Sequence, residues 1–190
     1  MTTTPIPRAR PNGWYGMLAL VATESALFGA LLATYAYLRF HDPRWPPPGI
    51  DPPSITAPLV LALVLVATSA PLALAARTAR RRGAGPLMAP IALALVVQVA
   101  YLGFQAHLYA DDLDRFSASG SAYGSIYFTL LAIHHAHVGV GVLLDCWLIA
   151  RLRGGLTEYR RGAVLAVALY WYFVGLVGLA VTATILIPSW

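Results

Sequence analysis

The stretch from Tyr123 to Arg151 constrains the fold more than any other part of the chain. It is mostly apolar and longer than the ~20 residues that a helix needs to cross a bilayer. Near its middle stand His134, His135 and His137, followed by Asp145. Polar groups at that depth are costly against lipid tails, so these side chains should face protein or a bound ligand. The stretch therefore predicts a membrane-spanning helix with a polar face.

The rest of the chain has the same character. Of its 190 residues, 58% are hydrophobic and 11% are charged, whereas a soluble domain carries about 25% charged residues. Five apolar segments are predicted to span the membrane, at about 14–39, 57–76, 86–107, 122–150 and 161–187. The first is too long for a signal peptide and no small-residue cleavage site follows it, so we expect it to stay in the membrane. The sequence predicts an all-α bundle of five transmembrane helices, forming one domain over residues 1–190.

The loop charges predict the orientation of these helices. Basic residues concentrate in the N-terminal tail, the second loop and the fourth loop: Arg8, Arg10, Arg77, Arg80, Arg81, Arg82, Arg151, Arg153, Arg160 and Arg161. The third loop is predicted to be acidic, with Asp111, Asp112 and Asp114 against Arg115. Because basic loops stay on the cytoplasmic side, the N-terminus is predicted to be cytoplasmic and Trp190 to lie outside. The net charge of +5 thus reflects loop arginines, and we expect no nucleic-acid partner.

Glu24 is the one acidic residue inside the first segment. It lies about ten residues into that segment, so roughly 15 Å deep at about 1.5 Å per residue. A carboxylate there costs a few kcal/mol unless it is protonated or paired. Two interpretations remain open: an acid that exchanges protons or contacts lipid headgroups, and a neutral carboxyl bonded to a neighbouring helix.

The histidines of the fourth segment could serve as ligands or as packing groups. His134 and His137 are three residues apart and share a helix face, whereas His135 points about 100° away. Two histidines on one face can ligate a metal or a haem iron. The further ligand would have to be His107 or Glu24, and neither completes a recognised spacing. The pattern therefore favours a hydrogen-bonded cluster between helices.

Other polar and small residues point to packing between helices. Asp145 is predicted to form a local ion pair with Arg151 or a bond to another helix, and Gln98 and Gln105 should bond across helices. Small residues recur on two stripes of the first segment and would let helices approach closely: Ala22, Ala26 and Ala30, then Ser25, Gly29 and Ala33.

Five motifs, in order along nearly the whole chain, resemble subunit III of the haem–copper oxidases, best known from cytochrome c oxidase. The first segment contains TESALFGALLATYAYLR, where the family has Ser-Glu before an aromatic-rich run and this chain has Thr23 and Glu24. The next matches are WPPPGI with the following helix, and Gln105 with Tyr109 for the family's Gln-x-x-Glu-Tyr. The last two are YGSIYF with HHAHVGVG, and YWYFVGLVG. They resemble the family's Tyr-Gly-Ser-x-Phe-Phe with His-Gly-x-His-Val, and its Tyr-Trp-His-Phe-Val-Asp segment.

Besides Thr23, four departures from this pattern matter for the polar contacts. Leu108 stands where the family has Glu, His135 where it has Gly, Tyr172 where it has His and Gly175 where it has Asp. Polar partners that normally meet around the fifth span are therefore missing. Five spans resemble the shorter bacterial form without the first two helices, which in longer members stand apart and leave a lipid-filled cleft. Here the other wall of such a cleft would have to come from another subunit or from lipid.

The resemblance implies an accessory subunit without a catalytic centre, in a proton-pumping respiratory oxidase that passes electrons from cytochrome c to O₂. It implies a location in the bacterial cytoplasmic membrane and a main contact with subunit I, with subunit II and further subunits in the complex. No haem, copper or other metal is expected in this chain, and haem and copper are expected in subunits I and II. Structural phospholipids are expected to bind, and the subunit is expected to support proton uptake and durable turnover.

The resemblance also selects candidate residues, none of them catalytic. A buried polar cluster in contact with lipid or a partner subunit is expected from Glu24, His134, His137, Gln105, Tyr109, Ser125 and Trp171. An outer interfacial loop is expected from Trp45, Pro46, Pro47 and Gly49.

Other functions remain open at this point. Subunit III of a quinol oxidase and a nitric-oxide-reductase-associated homologue share the five spans and similar motifs. A b-type cytochrome or metal carrier would use His107 with the His134 to His137 group. A small proton-coupled transporter would be built around Glu24, although such transporters often show internal repeats and broken helices, and the sequence shows neither.

Overall fold

The structure is a computed structural model that describes residues 12–51, 56–78 and 85–186. Within these ranges it forms helices and no strands: α1 Asn12–His41, α2 Thr56–Ala67, α3 Ser69–Thr78, α4 Gly85–Arg115, α5 Ala122–Leu152 and α6 Glu158–Leu186. Because α2 and α3 follow one another along a single apolar span, the described residues contain five segments able to cross a membrane. The predicted five-span, all-α fold is confirmed.

The predicted orientation rests partly on residues outside the described ranges. These are Arg8, Arg10, Arg80, Arg81, Arg82 and Trp190. The cytoplasmic location of the N-terminus therefore stays a prediction.

The second span is broken at Thr68 for a local reason. Pro71 has no N–H, and its ring crowds the carbonyl of Ala67, the residue at which α2 ends. The Thr68 N–H is shared between the carbonyls of Val64 and Leu65, at 3.1 Å each, and its hydroxyl donates to Leu65 O at 2.6 Å. This break places a buried hydroxyl within the second span.

The third span is longer than the sequence predicted. The acidic residues 111–114 were expected in a loop, but α4 continues through them to Arg115. The hydrophobicity of a segment shows where it leaves the lipid, but its helix can continue into water. The polar last turns of α4 were therefore wrongly assigned to a loop. These turns are tied to α5 by the Tyr127 hydroxyl, which donates to Asp112 Oδ2 at 2.5 Å. The Ser121 hydroxyl then caps α5 by accepting from the Gly124 N–H at 3.0 Å.

Helices α5 and α6 pack against each other at the centre of the bundle. On one side α1 lies against both, and on the other α4 packs on α5 while α2 and α3 lie between α4 and α6. Among the described residues, α1 has no contact with α2, α3 or α4. Both small-residue stripes of α1 are exposed, so they do not bring helices of this chain together.

Two glycines allow α5 and α6 to approach closely. A Cβ built on Gly141 would lie 2.5 Å from the Trp171 ring, and one on Gly178 would lie 3.0 Å from the His134 ring. Trp171 is 0% exposed and His134 is 3% exposed. Each glycine therefore leaves room for a large side chain of the facing helix, a common device where helices pack in membranes.

Candidate functional site: paired polar groups inside the bundle

Glu24 of α1 and His137 of α5 form a pair across two helices. The His137 Nε2 atom lies 3.1 Å from Glu24 Oε2, and its Nδ1 atom lies 2.7 Å from the Ile133 carbonyl oxygen. Because a carbonyl only accepts hydrogen bonds, Nδ1 carries a hydrogen, and Nε2 shares one further proton with the carboxyl. That proton resides either on Glu24, which then donates to a neutral imidazole, or on Nε2, which then donates to a carboxylate. Both forms have zero net charge.

The surroundings of this pair place it at the edge of the bundle. The side chains of His137 and Glu24 are 16% and 25% exposed. The Phe28 ring stands edge-on to the His137 ring at 5.1 Å, and the Tyr170 hydroxyl donates to the His137 carbonyl at 2.9 Å. The pair is thus held by α1, α5 and α6 but keeps a part of its surface available to lipid or to a neighbouring protein.

His134 belongs to a different group. Its Nε2 atom lies 3.4 Å from the Tyr101 hydroxyl, which accepts a hydrogen bond from Gln105 Nε2 at 3.1 Å. Accepting from Gln105 leaves the Tyr101 hydroxyl hydrogen free to point at the imidazole. The structure therefore pairs Glu24 with His137, and it joins His134 to Tyr101 and Gln105 of α4.

A cavity of about 100 Å³ lies between α4, α5 and the C-terminal part of α6. Its polar lining includes His135, Gln105, Asp112 and Arg115, and Tyr109 also lines it. The His135 Nε2 atom has no hydrogen-bond partner in the described part of the protein. One water molecule needs about 10–15 Å³ of cavity volume, so this cavity has room for several water molecules beside the His135 nitrogen.

Asp145 lies at the contact of three helices. It is 0% exposed, and its carboxyl lies near the side chains of Trp171 on α6 and Gln98 on α4, but neither carboxyl oxygen makes a hydrogen bond in the described part of the protein. Gln98 Nε2 also lies 3.5 Å from the Thr68 hydroxyl. Among the described residues no ion pair joins Asp145 to Arg151, and the Arg151 guanidinium lies instead over the Trp147 ring, 5.6 Å from its centroid. The bond from Asp145 to another helix stays a prediction.

The sequence analysis named Gln98, Asp145 and Trp171 without joining them, and it did not name Thr68. Gln98 and Trp171 lie beside Asp145, and Gln98 also reaches the Thr68 hydroxyl at 3.5 Å. Two features of the sequence could have indicated this group. Polar residues are uncommon within spans, and Pro71 breaks the second span beside Thr68.

The interfacial loop fastens the end of α1 to α5. Trp45 is buried, its Nε1–H donates to the Tyr35 hydroxyl at 3.1 Å, and its ring stands edge-on to the Tyr123 ring at 5.1 Å. The loop then turns through Pro46, Pro47 and Gly49. Gly49 has φ +91°, a conformation that side-chain-bearing residues rarely adopt.

Ser125 and His107 lie outside the polar groups described above. Ser125 is exposed, and its hydroxyl donates to the Ala118 carbonyl at 2.9 Å. The His107 Nδ1 atom lies 3.5 Å from Asp111 Oδ1, with both side chains exposed. Within residues 12–51, 56–78 and 85–186, no three His, Cys, Asp or Glu side chains converge to hold a metal ion. The described residues therefore do not supply the ligand set that a metal carrier needs.

Fold and site together define a class: a helical membrane protein of five spans whose buried polar groups bond to one another across helices. The family model for cytochrome c oxidase subunit III matches residues 12–189, so the chain belongs to that family. The resemblance read from the motifs is confirmed.

Comparison with individual relatives agrees. The chain is 29% identical over 175 residues to the cytochrome bo(3) ubiquinol oxidase subunit 3 of Pseudomonas aeruginosa, covering 90% of this chain and 82% of that protein. It is 24% identical to the cytochrome c oxidase subunit 3 of Bacillus subtilis, covering 87% and 81%. It is 26% identical to the probable quinol oxidase subunit 3 of Staphylococcus aureus, covering 85% and 82%.

Proposed function

We propose that this chain is the accessory third subunit of a proton-pumping haem–copper oxidase in a bacterial cytoplasmic membrane. It packs mainly on subunit I, and subunits I and II carry the haem and copper. Its family supports the oxidase assignment. The Glu24–His137 pair supports the role in proton uptake, because it is a proton-sharing pair at the edge of the bundle.

The chemistry of the pair fits this role. Shifting the shared proton between two atoms 3.1 Å apart leaves the net charge at zero, so the pair avoids the large cost of an isolated charge in the membrane. Release of the shared proton to a neighbouring group leaves one negative charge on the pair until another proton replaces it, and the partial exposure of both side chains leaves room for that transfer. In this proposal Glu24 is bonded to a neighbouring helix and also exchanges its proton, so the two interpretations that the sequence left open apply together.

The electron donor of the complex is proposed to be cytochrome c. A quinol is the second candidate, favoured by the 29% identity to a ubiquinol oxidase subunit. The donor binds elsewhere in the complex, so the choice depends on the partner subunits.

Purification of the complex through a tag on this chain tests the proposal. Haem-bearing subunits are expected to co-purify, and the preparation is expected to consume O₂ with reduced cytochrome c as donor. Consumption with a quinol alone would move the assignment to the second candidate. Isolation of the chain with no haem protein, or haem ligated by this chain itself, would contradict the proposal.

The transporter alternative is tested separately. Proteoliposomes that contain this chain alone are expected to show no proton-coupled uptake of solutes. Uptake that is lost in Glu24→Gln would favour the transporter instead.

A further inference from the structure

The cavity of about 100 Å³ beside His135 runs lengthwise along the bundle. Its lining residues on α4 are spaced as i, i+3, i+4, i+7 and i+10, which is one face of a helix: Gln105, Leu108, Tyr109, Asp112 and Arg115. The first and last of them are ten positions apart, roughly 15 Å at about 1.5 Å per residue. The cavity therefore reaches from the end of α4, next to the α4–α5 loop, well into the membrane-spanning part of the bundle.

The inner end of this cavity is polar. His134, His135 and Gln105 line it, and the His135 Nε2 atom has no hydrogen-bond partner in the part of the chain that the structure describes. A buried polar atom without a partner costs about 1–3 kcal/mol, and an apolar occupant would leave that cost in place. Water removes it, because the cavity is polar and large enough for several water molecules.

The outer rim of the cavity is charged. Asp111, Asp112 and Arg115 line it at the last turns of α4. Asp111 Oδ1 also lies 3.5 Å from His107 Nδ1, and Asp112 Oδ2 accepts from the Tyr127 hydroxyl. Two carboxylates beside one guanidinium give the rim one net negative charge. Such a rim is suited to contact with water and attracts small cations toward the cavity.

Two residues of the cavity depart from the resembled family pattern. The family motifs have Glu where this chain has Leu108 and Gly where it has His135, and both side chains line the cavity. The imidazole at the inner end is therefore a group that the family motifs do not supply.

We propose that this cavity is a water-filled half-channel that gives hydrated protons and other small cations access to the His135 imidazole from the side of the α4–α5 loop. It ends at that depth, where the His134 ring fills the space left by Gly178 of α6. The half-channel goes beyond the function proposed above. It is separate from the Glu24–His137 pair, because no residue of α1 lines this cavity among the described residues.

Cysteine reactivity in native membranes tests the half-channel. His135→Cys is made in a chain that carries Cys146→Ser, and it is treated with 2-aminoethyl methanethiosulfonate. The thiolate reacts and the thiol does not, so a cysteine in contact with lipid alone reacts slowly. His135→Cys is expected to react at least about tenfold faster than the matched control Ala136→Cys. Ala136 is the next residue along α5 and is exposed on the surface of the bundle.

The side of access is tested with the same reagent, with a thiol scavenger in the opposite compartment. Ser119→Cys in the α4–α5 loop is the reference, because Ser119 is exposed. His135→Cys is expected to react from the side on which Ser119→Cys reacts. Reaction from the other side, or equal rates for His135→Cys and Ala136→Cys, would overturn the half-channel.

The charge of the rim is tested by comparing the cationic reagent with the anionic 2-sulfonatoethyl methanethiosulfonate, each rate being divided by its rate with a free thiol. The corrected rate at His135→Cys is expected to be about fivefold higher for the cation, since a unit charge about 4 Å away contributes ~1 kcal/mol in water. Asp111→Asn is expected to lower this ratio. Equal rates, or faster reaction of the anion, would overturn the proposed access of cations.

A second position guards against a variant that does not fold. The tagged chain is purified from each variant to verify that it is made and assembled. If His135→Cys is not, Gln105→Cys decides, because Gln105 lines the same cavity. Its control is Gly103→Cys on the same helix, at an exposed glycine with nothing within 4 Å of its Cβ position. Reaction of Gln105→Cys no faster than that of Gly103→Cys would overturn the proposal.

Discussion

Replacing Glu24 separates its structural role from its proton chemistry. Glu24→Ala leaves His137 Nε2 without the partner that lies 3.1 Å away in the wild type. Hydrogen bonds between membrane helices contribute about 0.6 kcal/mol on average and up to about 1.7 kcal/mol. Removing one member of a fully buried ion pair costs more, about 3–5 kcal/mol, but these side chains are 16% and 25% exposed. We therefore expect Glu24→Ala to cost about 1–2 kcal/mol.

Glu24→Gln is the matched variant because it keeps the size and hydrogen bonding of the side chain. Its amide donates to His137 Nε2, so most of the stability should remain, within about 1 kcal/mol of wild type. The amide cannot give up a proton. Glu24→Gln is therefore expected to lower the proton yield per O₂, while Glu24→Ala lowers both the proton yield and the lifetime of activity.

Both variants are compared in the purified oxidase. The lifetime is measured from the loss of O₂ consumption during continuous turnover, and the proton yield from a pH-sensitive dye after an O₂ pulse. The haem spectrum is expected to stay unchanged in both, since the described residues provide no metal site. A Glu24→Ala enzyme with wild-type lifetime and proton yield would refute the reasoning. A Glu24→Gln enzyme with wild-type proton yield would leave the pair a purely structural role.

Two further predictions concern packing and topology. Gly141→Leu should destabilise the complex by about 1–3 kcal/mol or more, because its Cβ would lie 2.5 Å from the Trp171 ring. The control is Gly139→Leu, which should not destabilise the complex because nothing lies within 4 Å of its Cβ position. Equal thermal unfolding temperatures of the two variants would contradict this packing. The predicted orientation is tested by labelling single cysteines in a background without the native cysteine. Ser119→Cys should react with an impermeant maleimide in intact spheroplasts, whereas Arg153→Cys should react only after lysis. The reverse pattern would invert the predicted orientation.

The spans could be predicted from the sequence because length and apolarity are local properties. The pairing of their polar groups could not, since it depends on which helices are neighbours. His134 and His137 are three residues apart and point about 60° apart around α5. That difference is enough for His137 to meet Glu24 on α1 while His134 meets Tyr101 on α4. A shared face on one helix does not imply a shared partner.

The end of α4 and the partner of Asp145 show the same limit. Composition placed residues 111–114 in a loop, but their helix is continued by contacts with α5 such as Tyr127 to Asp112. Proximity in sequence suggested Arg151 as the partner of Asp145, whereas in the fold the side chains of Trp171 and Gln98 lie near its carboxyl. In both cases the deciding contact comes from another helix.

Two of the departures from the resembled pattern, Tyr172 and Gly175, lie next to each other on α6. In the motif resemblance, the family's His and Asp stand where this chain has Tyr172 and Gly175, which lie three residues apart on α6 and line one groove between α6 and the second span. A lone carboxylate at the centre of a membrane helix costs about 2.5–3.5 kcal/mol on insertion scales, so losing the His alone would leave a costly Asp behind. Replacing both leaves no unpaired charge and produces an apolar groove beside Val66. Tyr172 and Gly175 thus place no charged group on this side of α6, while Glu24 on α1 has His137 as its partner on the other side of the bundle.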